Sequence, residues 1–102
     1  TPAVGWDCDR RACAPTAAAP VRLGAWWGRK APPPERLAQL CAASEVVTVR
    51  AGLESLPGTC AHALVLDGDD FRRGGSVELW RAGDGWRGRW SREARGERPW
   101  VQ

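Results

Sequence analysis

Arginine and tryptophan alternate in the last third of the chain in a pattern that can bind nucleic acid. Guanidinium groups follow phosphates and aromatic faces stack on bases, each stacked base contributing about 1–3 kcal/mol, so the combination is typical of proteins that hold single strands. Positions 80 to 100 carry Trp80, Arg81, Trp86, Arg87, Arg89, Trp90, Arg92, Arg95, Arg98 and Trp100. From these we select as candidate DNA-binding residues Arg81, Arg87, Arg89, Arg92, Arg95, Arg98 and Trp100.

Strand geometry offers a second interpretation of the same residues. Side chains of a strand point alternately to its two faces, which places Trp86 and Trp90 on one face and Arg87 and Arg89 on the other. The rings would then belong to the core and the arginines to a solvated face. Such a face would still bind phosphate weakly and with a strong dependence on salt.

The four cysteines, Cys8, Cys13, Cys41 and Cys60, allow three disulfide connectivities. Cys8 and Cys13 flank a polar stretch suited to a tight turn, and Cys41 and Cys60 lie at the edges of two predicted buried elements, so we expect the pairs Cys8–Cys13 and Cys41–Cys60. Zinc fits the spacing poorly, because structural zinc prefers ligands two to four residues apart in paired clusters. Four buried free thiols are the remaining alternative. Two disulfides would imply an oxidising compartment.

The sequence contains little that supports catalytic chemistry. His62 is the only histidine, which excludes the usual histidine-based metal and nucleophile motifs, and we expect it in an apolar strand. Asp67, Asp69 and Asp70 carry oxygen ligands that suit calcium or magnesium, but their loop lacks the longer ligand register, so we interpret it as a solvated turn. We therefore expect no enzyme activity, no metal and no cofactor. An enzyme completed by an upstream domain is a further alternative, with Asp67 and Asp69 as its contributors.

Size and composition indicate one small domain, residues 1–102. Fourteen arginines accompany a single lysine, a bias typical of a high-GC bacterium, and that bias is one explanation of the net charge of +3. The other is a functional concentration of positive charge in the last third of the chain. No run approaches the roughly 20 apolar residues of a spanning helix, so we expect no membrane insertion by this segment. The chain contains no methionine, and we expect it to be a piece of a longer protein.

The apolar pattern predicts an α/β fold: a small mixed sheet with one main helix and a C-terminal β-hairpin. Residues 1–21 are predicted as a loose strand pair closed by the first two cysteines. Leu37, Leu40 and Cys41 have helical spacing, and Pro34 suits a first helical turn. The predicted helix is 34–43, and the predicted strands are 21–27, 44–49, 61–66, 76–81 and 86–90. Residues 68–75 are predicted as a connector that has room for one helical turn.

Several short motifs, taken in order, resemble the C-terminal tail of ComEC-type competence proteins of alphaproteobacteria. The motifs are Cys8 and Cys13 with four residues between them, then the segments 40–47, 56–60, 66–67, 74–77 and 96–100, the last ending in Pro99-Trp100. The resemblance implies an extracytoplasmic part of a polytopic inner-membrane channel that carries single-stranded DNA during transformation. It further implies that the rest of the channel is a partner and that the domain lies on the periplasmic side of the inner membrane.

Many relatives of that family end in a metallo-β-lactamase-like domain, and this segment is similar to a reduced C-terminal portion of it. Residues 46–49 would stand at the strand that leads to a metal-binding histidine, but Arg50, Ala51 and Gly52 follow instead. The resemblance therefore implies an accessory domain without hydrolytic activity. The alternative function is that of a small secreted, disulfide-stabilised binding or inhibitor protein unrelated to DNA.

Overall fold

Two β-sheets and two α-helices make up the computed structural model, which describes residues 5–83, 85–91 and the backbone of 97–100. The strands are β1 (Trp6–Cys8), β2 (Ala12–Pro15), β3 (Leu23–Trp26), β4 (Val46–Val49), β5 (Leu64–Leu66), β6 (Val77–Ala82), β7 (Gly85–Trp90) and β8 (Glu97–Trp100). The helices are α1 (Pro34–Ala43), α2 (Gly68–Gly74) and a 3-10 helix (Gly58–His62).

The first five strands form one mixed sheet in chain order. β1 and β2 pair antiparallel, with Cys8 opposite Cys13, and β2 and β3 also pair antiparallel. β3, β4 and β5 run parallel to one another. Two disulfides, Cys8–Cys13 and Cys41–Cys60, join the cysteines in the pairs that their spacing favours. The mixed α/β class expected from the sequence is thus confirmed.

Helix α1 has the predicted bounds, 34–43. Pro34 occupies the start of the first turn, where the missing N–H costs nothing, and Glu35 is favoured by the positive end of the helix. Leu37, Leu40 and Cys41 are the buried face of the helix, as their spacing predicts.

The five-stranded sheet has a core on each face. On one face, α1 and the 3-10 helix cover Trp26, Val47 and Val49. On the other face, Val46, Leu64 and Leu66 pack with Trp90 of β7. The second sheet, in the order β6–β7–β8, therefore packs against β4 and β5 of the first.

Two predictions about the elements were wrong or incomplete. Residues 61–66 do not form one strand, because the Cys60 N–H bonds to the Pro57 carbonyl and begins a 3-10 helix that ends at His62. The connector 68–75 holds a two-turn helix, α2, that begins at a capping box. None of the helices among residues 5–83 and 85–91 is long and apolar enough to cross a bilayer.

Candidate nucleic-acid interface

The β6–β7 hairpin places two of the predicted arginines side by side on its outer face. Arg87 lies opposite Trp80 in the register, and Arg89 lies opposite Glu78. Both arginine side chains are exposed, and Trp80 is half-buried. We call these four residues, Glu78, Trp80, Arg87 and Arg89, the hairpin face. It combines two cations, one partly exposed ring and one carboxylate.

The inner face of the same hairpin is core. Trp90 is 6% exposed and meets the edge of Phe71, with ring centroids 5.4 Å apart. Trp86 is half-buried and packs on the same cluster, and its indole nitrogen has no hydrogen-bond partner among the described residues. Neither ring is placed to stack on a base, so Trp80 is the aromatic surface of this hairpin.

Arg81 is separated from the other candidate arginines. It lies opposite Trp86 in the register, on the inner side of β6, and its guanidinium stacks over the Trp86 ring at 4.7 Å from the centroid. Arg81 Nη2 also pairs with Glu45, immediately before β4. These contacts join the second sheet to the residue before β4, so this arginine has a structural role.

The remaining candidate residues are only partly placed. Arg92 and Arg95 lie outside the described residues. Arg98 and Trp100 lie on β8, where the backbone positions are opposite Gly88 and Trp86, respectively. Residues 97–100 are thus the third strand of the second sheet.

The acidic residues that follow β5 stabilise α2. Asp67 accepts from the N–H of Asp70 at 3.0 Å while Asp70 accepts from the N–H of Asp67 at 2.9 Å, and Asp67 also accepts from Leu53 N at 2.8 Å. Burial raises the pKa of Asp67, but the hydrogen bonds from Leu53 and Asp70 outweigh it, and the net pKa is lowered. Asp69 and Asp70 pair with Arg72 and Arg73.

His62 lies at the end of the 3-10 helix with an exposed side chain, not in the apolar strand expected from the sequence. Within residues 5–83 and 85–91, no three His, Cys, Asp or Glu side chains cluster closely enough to hold a metal ion.

Sequence reasoning missed a second concentration of positive charge, at the carboxyl end of β3. The turn between β1 and β2 supplies Arg10 and Arg11, and the segment after β3 supplies Trp27, Arg29 and Lys30. We call these five residues the Trp27 surface. They come from two segments about 17 positions apart, so only strand pairing brings them together, and the dipeptides Arg10-Arg11 and Arg29-Lys30 were the signal available in the sequence.

The fold and these surfaces define a small disulfide-bonded α/β domain with two exposed basic faces. No protein-family model, curated protein or solved structure matches the chain. The chemistry of the two basic faces is therefore the basis for inferring a function.

Proposed function

We propose that this chain is a non-catalytic, extracytoplasmic accessory domain of a ComEC-type DNA-uptake channel and that it contacts single-stranded DNA. The observation that carries the DNA contact is the juxtaposition of Trp80 and Arg87 across the β6–β7 ladder, with Arg89 two residues further along β7. The order of the sequence motifs supports the assignment to the channel.

The chemistry of the hairpin face suits a weak, salt-dependent contact with phosphates. Arg87 and Arg89 expose their guanidinium groups on the side of β7 opposite to the buried Trp90. Guanidinium groups bind phosphate with two parallel hydrogen bonds, and the release of counterions makes such binding fall steeply with salt. Glu78, opposite Arg89, reduces the local charge, so we expect an accessory contact and not a tight site.

Two further parts of the proposal concern compartment and ancestry. The disulfides Cys8–Cys13 and Cys41–Cys60 support an oxidising compartment, such as the periplasmic side of the inner membrane. The domain would be a reduced C-terminal portion of a metallo-β-lactamase-like fold, in which the exposed Arg50 follows β4 where a ligand-bearing loop stands in that fold. The rest of the channel protein would be its partner.

The test is a titration of a fluorescently labelled 20-nucleotide oligo-dT with the 102-residue chain at increasing salt. We expect binding at low salt that weakens linearly in a log–log plot against salt concentration. The double variant Arg87→Ala/Arg89→Ala should bind more weakly and with a shallower salt dependence, the slope falling by about 0.7 for each phosphate that the variant no longer neutralises.

A matched control removes two arginines elsewhere. Arg72 and Arg73 lie on α2 with side chains that are 67% and 74% exposed, so Arg72→Ala/Arg73→Ala changes the net charge by the same amount. An equal decrease in affinity in both double variants would indicate a bulk charge effect and contradict a contact at the hairpin face. Absence of binding at low salt would refute the DNA contact and favour the alternative, a secreted binding or inhibitor protein.

A further inference from the structure

We infer that the Trp27 surface binds a single strand of nucleic acid, with phosphates on its cations and a base stacked on the Trp27 ring. The inference rests on the proposed function for its ligand class but concerns a different face of the molecule. It begins with the position of Trp27 itself, which is 41% exposed although it directly follows the buried Trp26.

Two hydrogen bonds hold Trp27 in place despite this exposure. Its indole N–H donates to the carbonyl of Arg10 at 2.8 Å, and its backbone N–H donates to the carbonyl of Arg11 at 2.8 Å. A ring fixed by its polar edge loses little conformational freedom when a ligand stacks on it, which makes stacking more favourable. The exposed ring is therefore a preformed platform for a planar ligand.

Cations surround this platform. The side chains of Arg10, Arg11, Arg29 and Lys30 are exposed, and none has an ion pair or side-chain hydrogen bond among the described residues. The nearby carboxylate of Asp9 is already engaged, because it accepts from Arg11 N and Ala12 N and pairs with Arg36 at 2.7 Å. Positive charge is thus left available at the carboxyl end of β3.

A groove of about 580 Å³, a volume within the range of ligand sites, is lined by the two residues that flank Trp27 in the chain, Trp26 and Gly28. Three of the cations, Arg11, Arg29 and Lys30, also line this groove. Any side chain at Gly28 would crowd Trp26, since a Cβ there would lie 2.9 Å from the indole nitrogen. The ladder also continues past β3, with Arg50 N bonded to the Trp26 carbonyl at 2.9 Å, which brings one more exposed cation to this end of the sheet.

An exposed, immobilised ring accompanied by exposed cations is the combination with which proteins hold single strands, since every base offers a face and every nucleotide a charge. The base faces of a duplex are stacked inside it, so a duplex would contact the cations but would not stack on the Trp27 ring. A small phosphate or an anionic membrane would likewise make no use of Trp27 stacking.

The experiment measures oligo-dT binding to the 102-residue chain by anisotropy, for the wild type, Trp27→Leu, Trp27→Phe and Arg29→Ala/Lys30→Ala. We expect Trp27→Leu to weaken binding about fivefold or more and Trp27→Phe to retain most of it, since the second variant keeps an aromatic face. The charge variant should reduce the salt slope by up to about 1.4, whereas the α2 control Arg72→Ala/Arg73→Ala should leave the slope unchanged. Circular dichroism verifies that each variant is folded.

A second probe isolates the stacked base. An abasic strand of equal length should bind the wild type more weakly, and Trp27→Leu should then weaken binding little further. If the wild type binds oligo-dT but Trp27→Leu and the charge variant bind equally well, the inference is wrong while the DNA contact of the proposed function stands. If the wild type does not bind oligo-dT, the proposed DNA contact itself fails.

Two other ligands complete the test. Equal affinity for a 20-base-pair duplex, with no effect of Trp27→Leu, would overturn the single-strand assignment in favour of a general polyanion surface. Binding to vesicles of phosphatidylglycerol without binding to oligo-dT would overturn it in favour of a membrane contact. Tighter binding to oligo-dT than to the duplex, lost in Trp27→Leu, would support the single-strand assignment.

Discussion

Cys41 and Cys60, whose Cα atoms are 4.9 Å apart, join α1 to the 3-10 helix by a disulfide that is almost completely buried. The other disulfide, Cys8–Cys13, closes only the exposed turn between β1 and β2. The two bonds therefore contribute to the fold in different ways.

We predict that the two disulfides differ in their contribution to stability. Replacing Cys41 and Cys60 by Ala should lower the free energy of unfolding by about 3 kcal/mol, because the bond closes the longer loop of the unfolded chain. Replacing Cys8 and Cys13 should cost about 2 kcal/mol or less. Urea unfolding of both variants measures the difference, and an equal or reversed order would contradict this account.

Asp67 should make the stability of the protein decrease at acidic pH. Its pKa in the folded chain is lowered from the ordinary 3.8, so its contribution is present above that value and is lost as the pH falls through the folded pKa. Asp67→Ala removes the cap of α2 and should lower the free energy of unfolding by about 1 kcal/mol at pH 7. The stability of this variant should also fall less than that of the wild type as the pH is lowered, which gives it a flatter acid limb. Thermal melts between about pH 2 and pH 7 compare it with Asp69→Ala, which leaves the capping box intact.

If the acid limb of Asp67→Ala matched that of the wild type, the hydrogen bonds from Leu53 and Asp70 would not be the source of the shift.

Gly74 has no room for a side chain, because a Cβ at that position would overlap the ring of Trp90. We expect Gly74→Ala to push the ring out of the cluster it shares with Val46 and Leu66, at a cost of about 1–3 kcal/mol. Gly58→Ala is the matched control, since a Cβ there meets open space. Differential scanning calorimetry of both variants checks this, and a melting temperature unchanged in Gly74→Ala would show that the packing tolerates the methyl group.

Arg22 connects the β2–β3 loop to the end of α1. Its Nη1 donates to the Thr16 carbonyl at 2.5 Å and its Nη2 to the Ala43 carbonyl at 2.7 Å. A guanidinium fork spans two acceptors that a single ammonium group does not reach together. Arg22→Lys should therefore lower the stability by about 1 kcal/mol and Arg22→Met by more. Chemical denaturation of the pair tests the geometry, and equal stability of Arg22→Lys and wild type would exclude a two-point contact.

Local sequence was sufficient wherever neighbouring residues carry the signal. Helix α1 begins at a proline that suits its first turn and buries residues at helical spacing, so its bounds could be predicted. The β6–β7 hairpin likewise follows from alternation about a turn at Gly83, whose φ of +60° favours glycine. The same alternation separates the exposed Arg87 from the buried Trp90.

The wrong predictions arose where distant contacts override local pattern. Residues 61 and 62 have the apolar surroundings of a strand, but the disulfide to Cys41 and the turn at Pro57 hold this segment against α1. Arg81 and Arg87 both follow a tryptophan, but Arg81 lies on the inner side of the hairpin, where it stacks over Trp86 and pairs with Glu45.

The sequence by itself determined the α/β class, the main helix, the hairpin and the alternation of ring and guanidinium along β7, because each depends on the period of side chains along one element. Tertiary structure decided that the hairpin forms a second sheet, that Arg81 joins the second sheet to Glu45, and that Arg10, Arg11, Arg29 and Lys30 meet around Trp27. Those outcomes depend on which strands pair and which faces pack, and pairing between remote segments leaves no mark in the spacing of neighbouring residues.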